Sequence, residues 1–479
     1  MTETISPDYL VIGAGAMGIA FADTLITDTK ATVAVVDRYA RPGGQWTIVY
    51  PFVRLHQPSE FYGVNSRRLG EGKIDEVGLN KGMAELATGD EVCAYFSKVM
   101  HQTLLPSGRV TYYPKHEWLG DGKFRSILTN KVICVGDSTR IVDATWMKVK
   151  VPVMGPPSYE VAKDVSHIVL NDLPKVSRPY GGYTVVGAGK TGIDACLWLI
   201  ANGIDPKDIS WIMPRDSWLL DRSSMQPGAR FFANTAAKME AFHEAILSAS
   251  SLEDMFHRLE ACGELLRIDD KIWPTMWKCA TVSLGEFDQL KRIGSIIRQG
   301  RVVRIDADKV TLENGIHEPA PDTLYIDCAS DAIHKWDPVP VFSGNRITLQ
   351  PVRRCQQVFS SAFIAHIEAT YGDEKVKNEL CRVIPHPNEP IDCPIGILHT
   401  YQNALRWNAE PSTVAWLNQA RLDWESGIVA SAPKHIRESA DFHAESKAMI
   451  ERVIVKLEEL LNTSSKQDAL KAEAQPARI

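Results

Sequence analysis

Long apolar runs are missing from this 479-residue chain. None reaches the ~18 uninterrupted apolar residues of a membrane-spanning helix, so no integral membrane segment is expected. The start, Met1-Thr2-Glu3-Thr4-Ile5-Ser6-Pro7-Asp8, lacks both a basic n-region and an apolar h-region, so it does not read as a signal peptide. Surplus positive charge is also missing. The formal net charge of −6 leaves no electrostatic footprint for nucleic acid and no general pull toward anionic membranes. Cysteine is sparse and scattered: the nine residues make an odd number and no CxxC occurs. That spacing predicts reduced thiols in a cytoplasmic setting and no metal site. Glycine and proline are present at ordinary levels, which excludes collagen-like and wholly disordered classes.

What the chain does have is a repeated glycine pattern. Tyr9-Leu10-Val11-Ile12 reads as a buried strand, Gly13-Ala14-Gly15-Ala16-Met17-Gly18 follows, and Ile19–Ile26 reads as a helix. A second apolar run, Thr32 to Val36, ends in Asp37, about twenty residues beyond the loop, where a ribose-binding acid belongs. Each residue type has a role. Gly13 permits the tight turn, Gly15 lets backbone approach a pyrophosphate, and Gly18 lets helix and sheet pack closely. The helix N-terminus offers free N–H groups and a positive dipole end to phosphates.

The pattern recurs at Tyr183-Thr184-Val185-Val186, Gly187-Ala188-Gly189-Lys190-Thr191-Gly192 and a helical stretch to Ile200. The following strand, Ile209–Met213, leads to Pro214-Arg215 where the first copy has Asp37. A guanidinium there suits a 2′-phosphate and favours NADPH over NADH, although Asp216 is adjacent. Gly189-Lys190-Thr191 is not a triphosphate-binding P-loop, because Thr184 stands where that pattern needs glycine.

Two such loops imply two dinucleotides, a flavin and a nicotinamide. Here the sequence resembles the flavoproteins with two dinucleotide-binding domains, and among them the flavin-containing and Baeyer–Villiger monooxygenases. The likeness spans roughly residues 7–370. It rests also on Gly43-Gly44-Gln45-Trp46, similar to that group's G-G-x-W, and on Ile141-Val142-Asp143-Ala144-Thr145 with Leu324–Ser330, similar to its crossing strands. Disulfide reductases of similar fold carry a redox cysteine pair near the first of these, where this chain has only Cys93. The F-x-G-x-x-x-H of the monooxygenases is not reproduced: His167 stands in its His place, but Val161 and Lys163 replace Phe and Gly.

The resemblance implies an α/β fold of two Rossmann-like domains, the second inserted into the first, with an added helical segment. An FAD domain is expected from residues 1–175 and 322–405, and an NADPH domain from 176–321 with a helical insertion at about 228–298. Trp273 and Trp277 there are candidates for an apolar cap or plain core. A hairpin around Asp306, a C-terminal helical region at 406–461 and a disordered tail at 462–479 complete the layout. FAD would be held by Gly13, Gly15, Gly18, Asp37, Gly44, Gln45 and Trp46. Gln350 and Val352 would join them at a helix N-terminus that Pro351 opens. NADPH would be held by Gly187, Gly189, Lys190, Thr191, Gly192 and Arg215. Arg54, His56 and Gln57 are the candidates for contact with flavin or substrate.

The function implied is an NADPH-dependent flavoprotein monooxygenase, passing one oxygen atom from a C4a-(hydro)peroxyflavin to a small organic substrate. Two alternatives stay open: a flavin oxidase or dehydrogenase acting on its own substrate, and a non-catalytic nucleotide sensor. Homo-oligomerisation is left open as well.

Overall fold

A computed structural model describes residues 3–330 and 335–473, the last nine of these as helical backbone only. Two parallel sheets organise the chain. The first has six strands in the spatial order Phe342–Ser343, Arg346–Thr348, Arg140–Asp143, Tyr9–Ile12, Val33–Asp37 and Val110–Pro114. All neighbours run parallel except the short Phe342/Arg346 hairpin. The second has five parallel strands in the order His167–Val169, Thr323–Asp327, Gly182–Val186, Ile209–Ile212 and Ser295–Ile297. Strands buried on both faces read as unbroken apolar runs: Val11, Val33 and Val35 pack toward the helices, while Leu10, Ile12, Ala34 and Val36 pack against Phe124, Ile133 and Val135 of a smaller four-stranded sheet.

This pairing bears out the α/β class. His167–Val169 and Thr323–Asp327, expected in the two pieces of the first domain, pair with each other in the second sheet. The first sheet's chain leaves at Asp143 and returns at Phe342. Strand ownership is settled by partner, which local composition does not encode.

Residues 228–298 are also less helical than expected. Helices Phe232–Leu247, Leu252–Ala261 and Leu284–Leu290 are present, but Met276–Val282 is a strand beside Ser217–Asp221, and Ser295–Ile297 closes the second sheet. Trp277 and Trp273 belong to a core with Trp218 and Phe256 rather than to an open cap. Val302–Ile305 and Val310–Leu312 form the expected hairpin.

The helix after the first sheet spans Gln357–Thr370, so Pro351 lies six residues ahead of it instead of opening it. It packs on the first-loop helix, Ala16–Asp28, and sets its fully buried Phe359 and Phe363 rings against Trp407 and Trp416. Each such side chain contributes about 1.5–3 kcal/mol of burial. The last helix runs from Ala440 to Glu473, so the polar stretch from Asn462, expected to be disordered, is helical that far; residues 474–479 lie outside the described residues. Val453, Leu457 and Leu460 anchor it. The cysteines depart from expectation too: Cys279 and Cys355 are joined in a disulfide, while the other seven are free. Among the described residues no helix is long and apolar enough to cross a membrane.

Candidate functional site

Both glycine loops sit where strand order reverses. In the first sheet the chain proceeds outward from Tyr9–Ile12 and then crosses back to Arg140–Asp143 on the other side; in the second it proceeds outward from Gly182–Val186 and crosses back to Thr323–Asp327. Ligands of open α/β sheets bind in the crevice such a reversal leaves at the carboxyl ends of the strands.

The loops are near copies in backbone geometry. The Gly13 N–H donates to the Val36 carbonyl at 2.8 Å, and the Gly187 N–H to the Ile212 carbonyl at 3.0 Å. Their φ values are +103° and +116°, which favour glycine. Gly15 and Gly189 cap the following helices with φ/ψ of −80°/−176° and −79°/−175°, and no side chain caps either end. The first-turn N–H groups are thereby left to an anion. A Cβ on Gly18 would lie 2.0 Å from the Gly13 carbonyl oxygen, and one on Gly192 2.1 Å from that of Gly187. The crossing strands match as well: Asp143 accepts the Thr145 N–H at 2.8 Å, and Asp327 accepts the Ala329 N–H at 2.9 Å.

The surroundings of the two loops differ. Gly15 faces Gly44, whose Cβ, if present, would lie 2.8 Å from the Gly15 Cα. Only glycine at 44 lets these backbones meet, whereas a Cβ at 15 would make ordinary contact with Gly44 at 3.6 Å. Asp37 accepts the N–H groups of Ala14 at 2.5 Å and Tyr39 at 2.7 Å. Burial raises its carboxyl above the ordinary value, and the two backbone donors oppose that rise. A carboxylate offers about four lone-pair sites, so this clamp leaves room for a ribose. Gln45 keeps a buried side-chain oxygen with no partner among the described residues, and Trp46 donates its indole N–H to the Tyr62 hydroxyl at 2.7 Å. An unsatisfied buried acceptor beside a glycine cradle suits a polar ligand.

Above Gly189 there is open space: a Cβ there would meet nothing within 4 Å. Lys190 pairs with Asp194 one turn along the helix, and the Tyr50 hydroxyl donates to the same carboxylate at 2.6 Å. Burial, reinforced by the Asp194 charge, holds the Tyr50 hydroxyl well above its ordinary value, so it stays a donor. This bond ties the segment after Trp46 to the first turn of the second-loop helix. Thr191 lies in the same turn.

The remaining candidates are placed as follows. His56 is partly buried, its carbonyl accepts from Arg222 at 3.0 Å, and its pKa is pushed down to about 3 by burial, with Lys190 and Arg222 adding to the effect. Arg54 lies at the surface beside Asp75. Gln57 lines a small cavity with Tyr62, Met225 and Gln356. The Arg215 guanidinium donates to the Thr275 and Asn388 carbonyls. Both ends of the Gln350 amide bond the backbone of Val339, while the Val352 N–H donates to Ser360 and its carbonyl accepts from Asn403. Gln350 and Val352 thus brace the loop ahead of the helix.

Two features carried no sequence signal. Arg222, almost fully buried, donates to His56, Asn80 and Glu286 and so fixes the Tyr50–Gln57 segment. A cleft of about 500 Å³ opens between Glu60, Phe61, Arg68, Glu85, Arg230 and Arg421, drawn from three distant stretches of chain. Phe61 is shared between this cleft and the small cavity at Gln57.

No family model matches the chain. Among solved structures it is similar to the closed form of cyclohexanone monooxygenase (14% identity, TM-score 0.43, covering 77% of this chain and 85% of that one). It is also similar to steroid monooxygenase bound to NADP (12%, 0.42, covering 97% and 98%) and to the flavin-containing monooxygenase of Stenotrophomonas maltophilia (14%, 0.39, covering 69% and 79%). Among curated proteins, Uncharacterized protein Rv2000 of Mycobacterium tuberculosis and Uncharacterized protein Mb2023 of Mycobacterium bovis each share 51% identity over 423 residues, 88% of this chain and 78% of their own length. At that identity and coverage, the chain belongs to the family of these mycobacterial proteins.

Proposed function

We propose that the chain is an NADPH-dependent flavoprotein oxidoreductase acting as a monooxygenase on a small organic substrate, with FAD at the first glycine loop and NADPH at the second. The observation that carries the reading is the repetition of one loop geometry at two switch points, down to the 2.0 and 2.1 Å approaches at Gly18 and Gly192. The glycine cradle, the Asp37 clamp and the unpartnered Gln45 oxygen suit FAD. The open space above Gly189 suits the pyrophosphate of a nicotinamide cofactor. Flavin, when bound, supplies hydride acceptance and oxygen activation.

The chain's own residues supply binding and placement. First-turn N–H groups hold phosphates. Tyr50, Asp194 and Lys190 fix the approach of the second loop to the Tyr50–Gln57 segment. His56 is neutral at pH 7, so it adds no positive charge there. The cleft beside Phe61 is the proposed substrate entrance. The first domain is then proposed as residues up to 143 with 342–405, and the second as the chain between them.

The test is direct. The purified protein should be yellow and release FAD on heating, NADPH should bleach it, and oxygen should be consumed with formation of an oxygenated product. A colourless protein, or one that no nicotinamide reduces, would overturn the reading.

A further inference from the structure

The disulfide joins two segments 76 residues apart, with Cα atoms separated by 6.6 Å. It is not part of a disulfide framework, because the other seven cysteines are free, including the partly exposed Cys134 and Cys262. Where a compartment keeps thiols reduced, a disulfide is usually transient and catalytic or redox-sensing.

Its setting is unusual at both ends. Cys279 and Cys355 have φ of +54° and +58°, a region L-residues with a side chain seldom adopt. Cys279 sits at the centre of a β-bulge. Trp277 pairs with Trp218 and Thr281 with Leu220, so Lys278, Cys279 and Ala280 all face the single residue Leu219. Bulges re-aim side chains, and here the bulge brings Cys279 to Cys355, in the loop just ahead of the Gln357–Thr370 helix.

The two sulfurs differ in access. Cys279 is buried in the core with Trp218 and Trp277. Cys355 is partly exposed and lines the small cavity with Gln57, Tyr62 and Trp424, which Phe61 shares with the larger cleft. We propose that Cys279 and Cys355 form a thiol-exchanging redox site, at which a small-molecule thiol from solvent attacks the sulfur of the partly exposed Cys355.

The steps balance. The incoming thiolate forms a bond to Cys355 Sγ, the Cys279–Cys355 bond breaks, and its electron pair leaves on Cys279 Sγ, which takes a proton from solvent. A second thiolate attacks its own kind in the mixed disulfide and releases Cys355 as thiolate, which is also protonated. Two small thiols are oxidised to one disulfide and the protein disulfide is reduced to two thiols. The covalent tie between the Met276–Val282 strand and the loop ahead of the helix is then open, and both residues are free to leave the left-handed region.

The experiment uses the air-oxidised full chain in glutathione redox buffers, with alkylation, peptide mass mapping and circular dichroism. Two further alkylated cysteines, mapping to 279 and 355 while the protein stays folded, are expected. With glutathione disulfide, Cys279→Ser should be modified at Cys355 on the order of ten-fold faster than Cys355→Ser is modified at Cys279, because the exposed thiol reacts first. Free thiols at 279 and 355 in the air-oxidised protein, reduction only upon unfolding, or equal rates in the two variants would overturn the proposal. Should either variant fail to fold, half-reduced wild type decides: glutathione found on Cys355 supports the site, and glutathione on Cys279 refutes it.

Discussion

Gly189→Val separates binding from stability. Nothing lies within 4 Å of a Cβ at position 189, and φ there is an ordinary −79°. The fold therefore accommodates a side chain without a clash. The one structural cost is the helix cap, where valine is worse than glycine by about 1 kcal/mol. For a chain of this size that lowers Tm by about 1 °C. The ligand cost is larger, because the branched side chain fills the space the pyrophosphate needs. Losing two charge-assisted hydrogen bonds of about 1.5–3 kcal/mol each removes about 3–6 kcal/mol, or roughly 10²–10⁴ in Kd. The variant should purify with normal flavin content, be reduced by dithionite, and bind NADPH that much more weakly in a titration. Gly192→Ala is the contrast: its Cβ would meet the Gly187 carbonyl oxygen at 2.1 Å, so it should lose stability as well. Wild-type NADPH affinity in Gly189→Val would refute the reasoning. Loss of FAD from a folded variant would show that the two loops are not independent.

Gly15→Val should abolish FAD retention, since the branched side chain would fill the space in which backbone approaches the pyrophosphate; heat-released flavin measures it. Arg215→Ala should reduce the preference for NADPH over NADH by about ten-fold, the worth of one charge-assisted hydrogen bond, in flavin-reduction assays at low cofactor concentration. His56 is neutral in the fold, with a pKa pushed down to about 3 by burial. Below the ordinary value near 6.5 the unfolded chain takes up a proton the folded one does not, so stability falls as pH drops from about 6.5 toward 3. His56→Asn should flatten that slope in denaturant melts across this window. Tyr50→Phe removes the donor to Asp194 and should slow NADPH-driven flavin reduction more than it weakens NADPH binding, as stopped-flow traces would separate.

The sequence by itself determined the two loops. Glycines at 13 and 18, and at 187 and 192, meet local steric demands, those at 15 and 189 keep space open at the helix starts, and the flanking apolar runs state that the strands are buried on both faces. Such demands act within a few residues, so they are legible in one dimension. Tertiary structure alone decided which sheet owns His167–Val169 and Thr323–Asp327, because a strand's partner is chosen by packing across the whole chain. It alone made Met276–Val282 a strand, by supplying Ser217–Asp221 to pair with it. It turned Gln350 and Val352 into braces of their own loop, bonded to Val339, Ser360 and Asn403. It placed Arg222 under His56, and it joined Cys279 to Cys355 through a bulge that no spacing of cysteines announces. These contacts link residues far apart in sequence, and their energies exist only once the sheets have assembled and excluded water between them.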